Sequence, residues 1–358
     1  MKRIVAIHLL NDYSGSPKVL MQLLKAWTKN GIDAHLFTSG SRSGFLSDIP
    51  MVKNHFFWYQ FSPNALVRIF NFFLSQILLM IRLLIFLEKQ DIIYINTVLP
   101  FGAAVAGKIK GCKIIYHIHE TSVKPKIFKS FLFRIAKLSA DKIVFVSEYL
   151  LKKESLINNQ VLLYNVLESD FTDQADQFQY PEKPIPIVLM ICSLKIYKGV
   201  DEFLILAKKN QNCIFKLVVN ATEKQIKEYF KKVKIPDNLK IYPTQTDTHP
   251  FYREASIIVN LSHPDLWVET FGLTILEGMR YRLPAIVPPV GGVTELVKDG
   301  KNGFLIDSKN TTELSIKIAY ILSNPDVYQS LSEAAYQKSL LFSEAYFEKE
   351  SLAIISNL

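Results

Sequence analysis

A chain of 358 residues, 49% apolar and 21% charged, is too long for one ordinary core; it suits two globular domains and excludes disorder on a large scale. Its three cysteines, Cys112, Cys192 and Cys213, are too few and too scattered for a disulfide framework or a zinc site, so reduced thiols in a cytoplasmic protein are expected. The net charge of +9 is uneven: residues 1–170 hold 21 Lys and Arg against 11 Asp and Glu, while residues 171–358 hold 21 against 22, so the first half is either a plain basic surface or faces an anion such as nucleic acid or an anionic membrane.

In chain order, MKRIVAIHLL has a basic start and an apolar run. The run is short and has no small-residue cleavage pattern, so it is read as a first buried strand rather than a signal peptide. Strands are predicted at 3–10, 33–39, 91–97, 113–119, 142–147 and 160–165. Residues 69–87, IFNFFLSQILLMIRLLIFL, are long enough to suggest a transmembrane helix. Asn71, Ser75, Gln76 and Arg82 interrupt them, however, and a buried helix between strands fits the alternation better. Residues 121–140 carry Lys124, Lys126, Lys129, Arg134 and Lys137 with no acid, and Phe128, Phe131, Leu132 and Ile135 recur at helical spacing. Unless that apolar stripe is core, this is a basic amphipathic helix expected to anchor on a membrane surface.

DQADQFQYPEKPIP (173–186) is polar and proline-bearing and reads as a linker. A second series of strands follows at 187–193, 213–220, 239–243, 256–262, 284–289 and 303–307. The final segment has helical spacing, but its docking place is not readable. The resulting division is a first domain over 1–170, a linker over 171–186, a second domain over 187–342 and a terminal helix over 343–358. Strands alternating with helices on both sides of a linker imply an α/β protein of two Rossmann-like domains, with the cleft between them as the default ligand site.

Neither domain has the GxGxxG of a dinucleotide-binding fold. The first strand runs instead into NDYSGSPKV, where Ser14, Gly15 and Ser16 form a tight turn. Ser16 is a good N-cap and Pro17 a good first helical residue, which makes a workable anion site. In the second domain, Ser193 ends a strand, and Lys195 and Lys198 follow at its carboxyl end, where two ammonium groups could neutralise a diphosphate. ETFGLTILEGM (269–279) places Glu269 just before a helix predicted to begin near Leu273, and Glu277 one turn inside it. Gly272 permits close backbone approach, and the free N–H groups of the helix start favour anions. Acids there can be simple dipole complements, and flanking lysines a solvated loop. Carboxylates also accept hydrogen bonds from vicinal hydroxyls, so a helix end for phosphate with acids for hydroxyls describes a nucleotide-sugar site. In HIHE, alternation puts His117 and His119 on one face.

Glu269 and Glu277 match an E-x7-E signature, and VETFGLTILEGMRYRLPAIVPPVGGVTELVKDGKNGFLID resembles the donor-binding segment of retaining glycosyltransferases of GT-B architecture, glycosyltransferase family 4, of the kind that builds bacterial surface polysaccharides such as lipopolysaccharide O-antigen or capsule. YKG after the first strand of the second domain and HIHE in the first occur in the same order as in that family. The resemblance implies roles: Glu277 for ribose hydroxyls, Glu269 for the donor sugar near the reacting centre, and the N–H groups of Phe271, Gly272, Leu273 and Thr274 for sugar and diphosphate. Lys198 matches the diphosphate lysine, the Gly15–Ser16 turn the first-domain glycine loop, and His119 the histidine facing the donor sugar.

The chain departs from the family at two places. Cys192-Ser193-Leu194 stands where Gly-Arg-Leu is common, so an arginine is missing and Lys195 is the candidate replacement. Gly-Ser-Pro-Lys stands where Gly-Gly-Ala-Glu is frequent, which puts contacts from that loop in doubt. The resemblance further implies a hexosyltransferase that retains configuration, with the nucleoside diphosphate sugar as substrate and no cofactor; no Asp-x-Asp is placed at a strand end, so no metal is expected to be required. Its acceptor would be a polyprenyl-diphosphate-linked glycan at the inner face of the cell membrane, with an anionic membrane surface and no nucleic acid as partner. The competing expectation is a catalytically inactive GT-B protein that binds nucleotide sugar, for which the missing arginine is the best support. A nucleic-acid binder would not account for the two glutamates, nor a GT-B epimerase for the basic helix.

Overall fold

The computed structural model describes residues 3–40, 42–154, 159–179 and 184–358. The chain forms two compact units: unit 1 is Met1–Tyr164 with Ala345–Leu358, and unit 2 is Asn165–Glu344.

Unit 1 runs β1 (Arg3–Ile7), α1 (Gly15–Lys29), β2 (Asp33–Ser39), β3 (Lys53–Phe57), α2 (Ala65–Phe86), β4 (Ile92–Asn96), α3 (Phe101–Lys110), β5 (Lys113–Ile118), α4 (Lys126–Ser139), β6 (Lys142–Phe145), α5 (Glu148–Lys153) and β7 (Gln160–Leu162). The seven strands are parallel in the order β3-β2-β1-β4-β5-β6-β7. Runs such as Ile4–Ile7 and Ile92–Ile95 are buried throughout, as strands covered by helices on both faces must be. The order reverses between β1 and β4, which leaves a crevice at their carboxyl ends, where open α/β sheets bind ligands. β3 is absent from the predicted strands because its sequence, KNHFF, is polar and largely exposed at the sheet edge.

Unit 2 runs α6 (Ser169–Asp176), β8 (Ile187–Ser193), a 3-10 turn (Ile196–Lys198), α7 (Val200–Lys209), β9 (Ile214–Asn220), α8 (Glu223–Tyr229), β10 (Leu239–Tyr242), α9 (His249–Glu254), β11 (Ile257–Val259), α10 (Leu273–Arg280), β12 (Ala285–Val287), α11 (Val293–Leu296), β13 (Gly303–Leu305), α12 (Thr311–Ser323) and α13 (Pro325–Ser339). Its parallel sheet has the order β10-β9-β8-β11-β12-β13, with the reversal between β8 and β11. The fold is therefore α/β with two Rossmann-like units.

Three segments differ from the sequence reading. Residues 171–176 are helical rather than linker, because α6 packs on unit 2: Phe171 stacks on His249 at 4.4 Å, and Asp176 pairs with Arg280. Residues 180–183 of the expected linker lie outside the described residues. The terminal helix α14 (Glu344–Ser356) returns to unit 1, where Lys142 Nζ donates to the carbonyls of Ile354 (2.9 Å) and Asn357 (3.1 Å) and Asn30 donates to Glu348 (2.7 Å).

The third difference is α2, expected as a buried helix. Its inward face holds Phe72, Ser75, Gln76, Leu79 and Leu83, while Leu66, Ile69, Phe70, Ile77, Ile81 and Ile85 point outward and are exposed. Of the four polar residues that interrupt the apolar run, Ser75 and Gln76 are buried, Asn71 is half-buried and Arg82 is exposed. Gln76 accepts the Gly102 N–H of α3 through Oε1 at 3.2 Å, and Ser75 donates to the Phe72 carbonyl at 2.6 Å. A Cβ at Gly102 would come within 2.3 Å of the Gln76 carbonyl oxygen, so α3 can cross α2 this closely only at glycine.

Candidate functional site

Unit 2 gathers charged groups at the carboxyl ends of β8 and β11. After Ser193, the chain turns through Lys195 to Lys198 and then Gly199, whose φ of +77° is a left-handed conformation. A Cβ there would sit 2.2 Å from the Leu261 carbonyl, so the YKG turn fits against β11 only with glycine. This packing directs Lys198 Nζ onto Glu269 Oε2 at 2.8 Å. Asn260, just past β11, donates to the same oxygen at 3.2 Å, and Trp267 places its ring 5.7 Å from the ammonium. Burial alone would raise the Glu269 carboxyl, but the Lys198 charge and the two hydrogen bonds outweigh it and hold the group below the usual glutamate range. Lys195 is exposed and has no side-chain partner among the described residues.

Gly272 caps α10 with φ +99°, and the helix begins at Leu273. The first N–H groups of α10, at Leu273 and Thr274, have no intrahelical acceptor, and the positive end of the helix dipole lies there. Phe271 is buried and anchors the loop against Phe342 at 5.7 Å. Glu277 is only 5% exposed, and its Oε2 accepts the Tyr252 hydroxyl at 2.5 Å. Tyr252 in turn stacks on Tyr281 at 5.6 Å.

In unit 1, the helix start near Gly15 lies two residues earlier than expected. Ser14, not Ser16, is the N-cap; its N–H and hydroxyl both donate to Asp12 Oδ1, at 2.9 and 2.5 Å, and Pro17 falls inside the first turn. The Ser16 carbonyl accepts from Asn96 Nδ2 at 3.0 Å. Asn96 also reaches His8 Nδ1 at 3.0 Å, and its Oδ1 takes His119 Nε2 at 2.8 Å. One asparagine at the end of β4 therefore joins the Gly15–Ser16 turn to His119. His119 stacks on His117 at 4.2 Å; His117 is fully buried and takes the Tyr94 hydroxyl on Nδ1 at 2.9 Å, while His119 keeps some exposure. Burial holds all three histidines in the neutral form, pushing His8 down to about 4, His117 down to about 3 and His119 well below its ordinary range.

Glu120, the acid of HIHE, accepts the Val98 and His119 N–H groups at 2.8 and 3.2 Å, yet burial raises it to about 7. A cavity of about 420 Å³ opens beside the ends of β1, β2 and β3, with Asn11, Arg42, Ser47 and Asn54 in its wall. Asn96, Asn260, Tyr252 and Glu120 were absent from the sequence-based site. The residues they hold lie between 1 and 88 positions away, and only Glu120 stands within a motif, HIHE.

The five cations of 121–140 are dispersed. Lys129 is committed to Glu154, while Lys124, Lys126, Arg134 and Lys137 are exposed and unpaired among the described residues. The stripe expected to be one apolar face is split: Leu132 is core, Phe128 and Ile135 are half-buried, and Phe131 is exposed.

Residues 171–338 match the family described as "Glycosyl transferases group 1" and residues 13–153 match "Glycosyltransferase Family 4". The chain is a GT-B glycosyltransferase of the family 4 type. An uncharacterised glycosyltransferase of Methanocaldococcus jannaschii is 28% identical over 267 residues, covering 72% of this chain and 72% of that protein. An uncharacterised glycosyltransferase of Haemophilus influenzae is 30% identical over 165 residues, covering 44% of each. Among solved structures, this glycosyltransferase is similar to Anabaena HepE in complex with UDP and glucose, with a TM-score of 0.79 and 19% identity over 100% of both chains. That likeness establishes the GT-B architecture of the two units.

Proposed function

We propose that this glycosyltransferase moves a glycosyl group from a nucleoside diphosphate sugar to a hydroxyl of a lipid-linked glycan, with anomeric configuration retained, at the inner membrane face in surface polysaccharide biosynthesis. The observation that carries the reading is the Lys198–Glu269 pair, held at 2.8 Å in the same unit as the Gly272-capped start of α10. A cation and orphan N–H groups suit the departing diphosphate, and an ionised carboxylate suits sugar hydroxyls. UDP in the HepE complex supports a nucleotide as the donor's leaving half.

As the bond from the anomeric carbon to the diphosphate oxygen breaks, negative charge grows on that oxygen, and Lys198 stabilises it. Lys195, exposed one turn earlier, is free to add the charge the missing arginine would have given. Glu277 is assigned to the ribose hydroxyls, with one oxygen fixed by Tyr252. His119, neutral and braced by Asn96, is the unit 1 residue assigned to a sugar hydroxyl. The 420 Å³ cavity beside β1–β3 is the place in unit 1 assigned to the acceptor. Fixed cations and helix dipole make a metal unnecessary on this reading.

A thermal-shift screen of nucleoside diphosphate sugars tests it, since a ligand that binds only the native state raises the melting temperature. At least one sugar nucleotide should stabilise the protein and be turned over in the presence of EDTA, with Lys195→Ala about tenfold slower. Stabilisation without turnover on any lipid-linked acceptor would favour an inactive sugar-nucleotide binder. No stabilisation by any nucleotide would sink the donor assignment.

A further inference from the structure

A surface helix of a water-soluble domain turns its polar side outward. α2 does the reverse: Ser75 and Gln76 are buried, while Phe70 is 67% exposed and Ile85 84%. Its only charges are Arg68 and Arg82, and both are turned aside onto unit 1. Arg68 lies over the Phe61 ring at 5.5 Å, and Arg82 donates to the Phe56 carbonyl. Arg68 is half-buried, and Arg82, although exposed, stands at the edge of the outward stripe with its guanidinium bonded to Phe56, so the stripe of Leu66, Phe70, Ile77, Ile81 and Ile85 carries no charge of its own. Phe73 of α2 contacts Phe128 and Phe131 of α4 with ring centroids 6.3 and 6.1 Å apart, so the oily stripe runs on into the helix that carries Lys126, Arg134 and Lys137. Ile127, 85% exposed, extends it.

We propose that the outward face of α2 lies in the plane of an anionic lipid bilayer, with its apolar side chains inserted and the unpaired cations of α4 on the headgroups. The proposal deepens the membrane part of the reading above and rests on it, moving the main apolar contact from residues 121–140 to α2. A bilayer is the occupant that matches both halves of the surface: hydrocarbon for a stripe without charge, and anionic headgroups for unpaired lysines in a half-chain with ten surplus positive charges. The helix lies in the plane rather than across the membrane. Both its ends return to one parallel sheet, at β3 and β4, and Leu79 and Leu83 are packed into that unit with no exposure.

The test is flotation of the full chain with vesicles of phosphatidylcholine and phosphatidylglycerol at low and high salt. Phe70→Glu/Ile77→Glu/Ile85→Glu should cut binding at least tenfold at both salt concentrations, while melting temperature and nucleotide thermal shift stay those of wild type. Replacing Lys124, Lys126, Arg134 and Lys137 with Gln should remove mainly the salt-sensitive part. Undiminished binding by the α2 variant overturns the proposal. So does a wild-type dimer in light scattering that the same variant dissociates, because a second copy would then cover the face. Resistance of wild type to alkaline carbonate extraction would mean a span and overturns it equally. Because nucleotide shift is read on the same samples, its loss would count against the enzyme reading alone.

Discussion

At the carboxyl edge of the unit 2 sheet, Lys198 and Glu269 meet as full charges. At the same edge of the unit 1 sheet, His8, His117 and His119 are stripped of charge by burial and held by a neutral asparagine. The two units share a fold and differ in how they solve the cost of burying polar groups. Unit 2 keeps ions and pairs them, which preserves a cation for an anionic ligand. Unit 1 discharges its imidazoles, which leaves hydrogen-bonding groups that neither attract nor repel phosphate. A cation costs least to keep where a counter-ion stands 2.8 Å away.

Breaking the charged side of this contrast should have the largest effect. Lys198→Met removes the leaving-group cation and strands the Glu269 carboxylate. Turnover is expected to fall about 100-fold, and stability in urea unfolding to fall by up to about 3 kcal/mol. Adding Glu269→Gln should restore most of the stability and none of the turnover. If both recover together, the pair is structural only.

Glu277→Gln is expected to act next most strongly. It retains an acceptor for the Tyr252 hydroxyl but loses the charge, so calorimetry should find nucleotide binding weaker by about 1–3 kcal/mol with folding unchanged. Equal affinity would remove Glu277 from the ribose.

The smallest effect sharpens the neutral side. Above pH 6.5, His117 is uncharged whether folded or unfolded. As pH falls below 6.5, the unfolded chain takes up a proton that the native site, at about 3, refuses, so stability is lost. Glu120 opposes this. Its native value near 7 makes its contribution complete below about 4.5 and lost as pH rises through 7. His117→Gln should therefore flatten the acid loss between pH 6.5 and 4 by at most about 1.4 kcal/mol per pH unit. An unchanged slope in urea titrations would show that His117 does not refuse the proton.

What could be read in the sequence was local. DAHLFTS and IVLMICS coincide with β2 and β8 because continuous apolar runs bounded by polar turns leave a parallel strand little freedom. The start of α10 at Leu273 follows from a glycine that the chain needs at left-handed φ. What could not be read was which distant side chain closes each site. Asn96 joins residues 80 positions before it to one 23 after it, and no spacing rule encodes that. The facing of α2 was equally hidden: its polar residues signalled an interruption, and the close crossing of α3 at Gly102 places Ser75 and Gln76 inward while Arg82 stays exposed. The split of residues 121–140 into core and exposed cations likewise depends on Glu154, which claims Lys129 from another element.

The return of α14 to unit 1 has a consequence for how the chain acquires its shape during translation. Unit 1 receives its closing helix from residues that follow Tyr164 by 180 positions, with all of unit 2 between. At ribosomal speeds that interval is about 10–40 s. Unit 2 can therefore complete its core while the unit synthesised first is still open at Lys142, whose ammonium has not yet met the carbonyls of Ile354 and Asn357. Synthesis order and completion order are reversed, and chaperones holding the nascent chain would engage the earlier unit for longer.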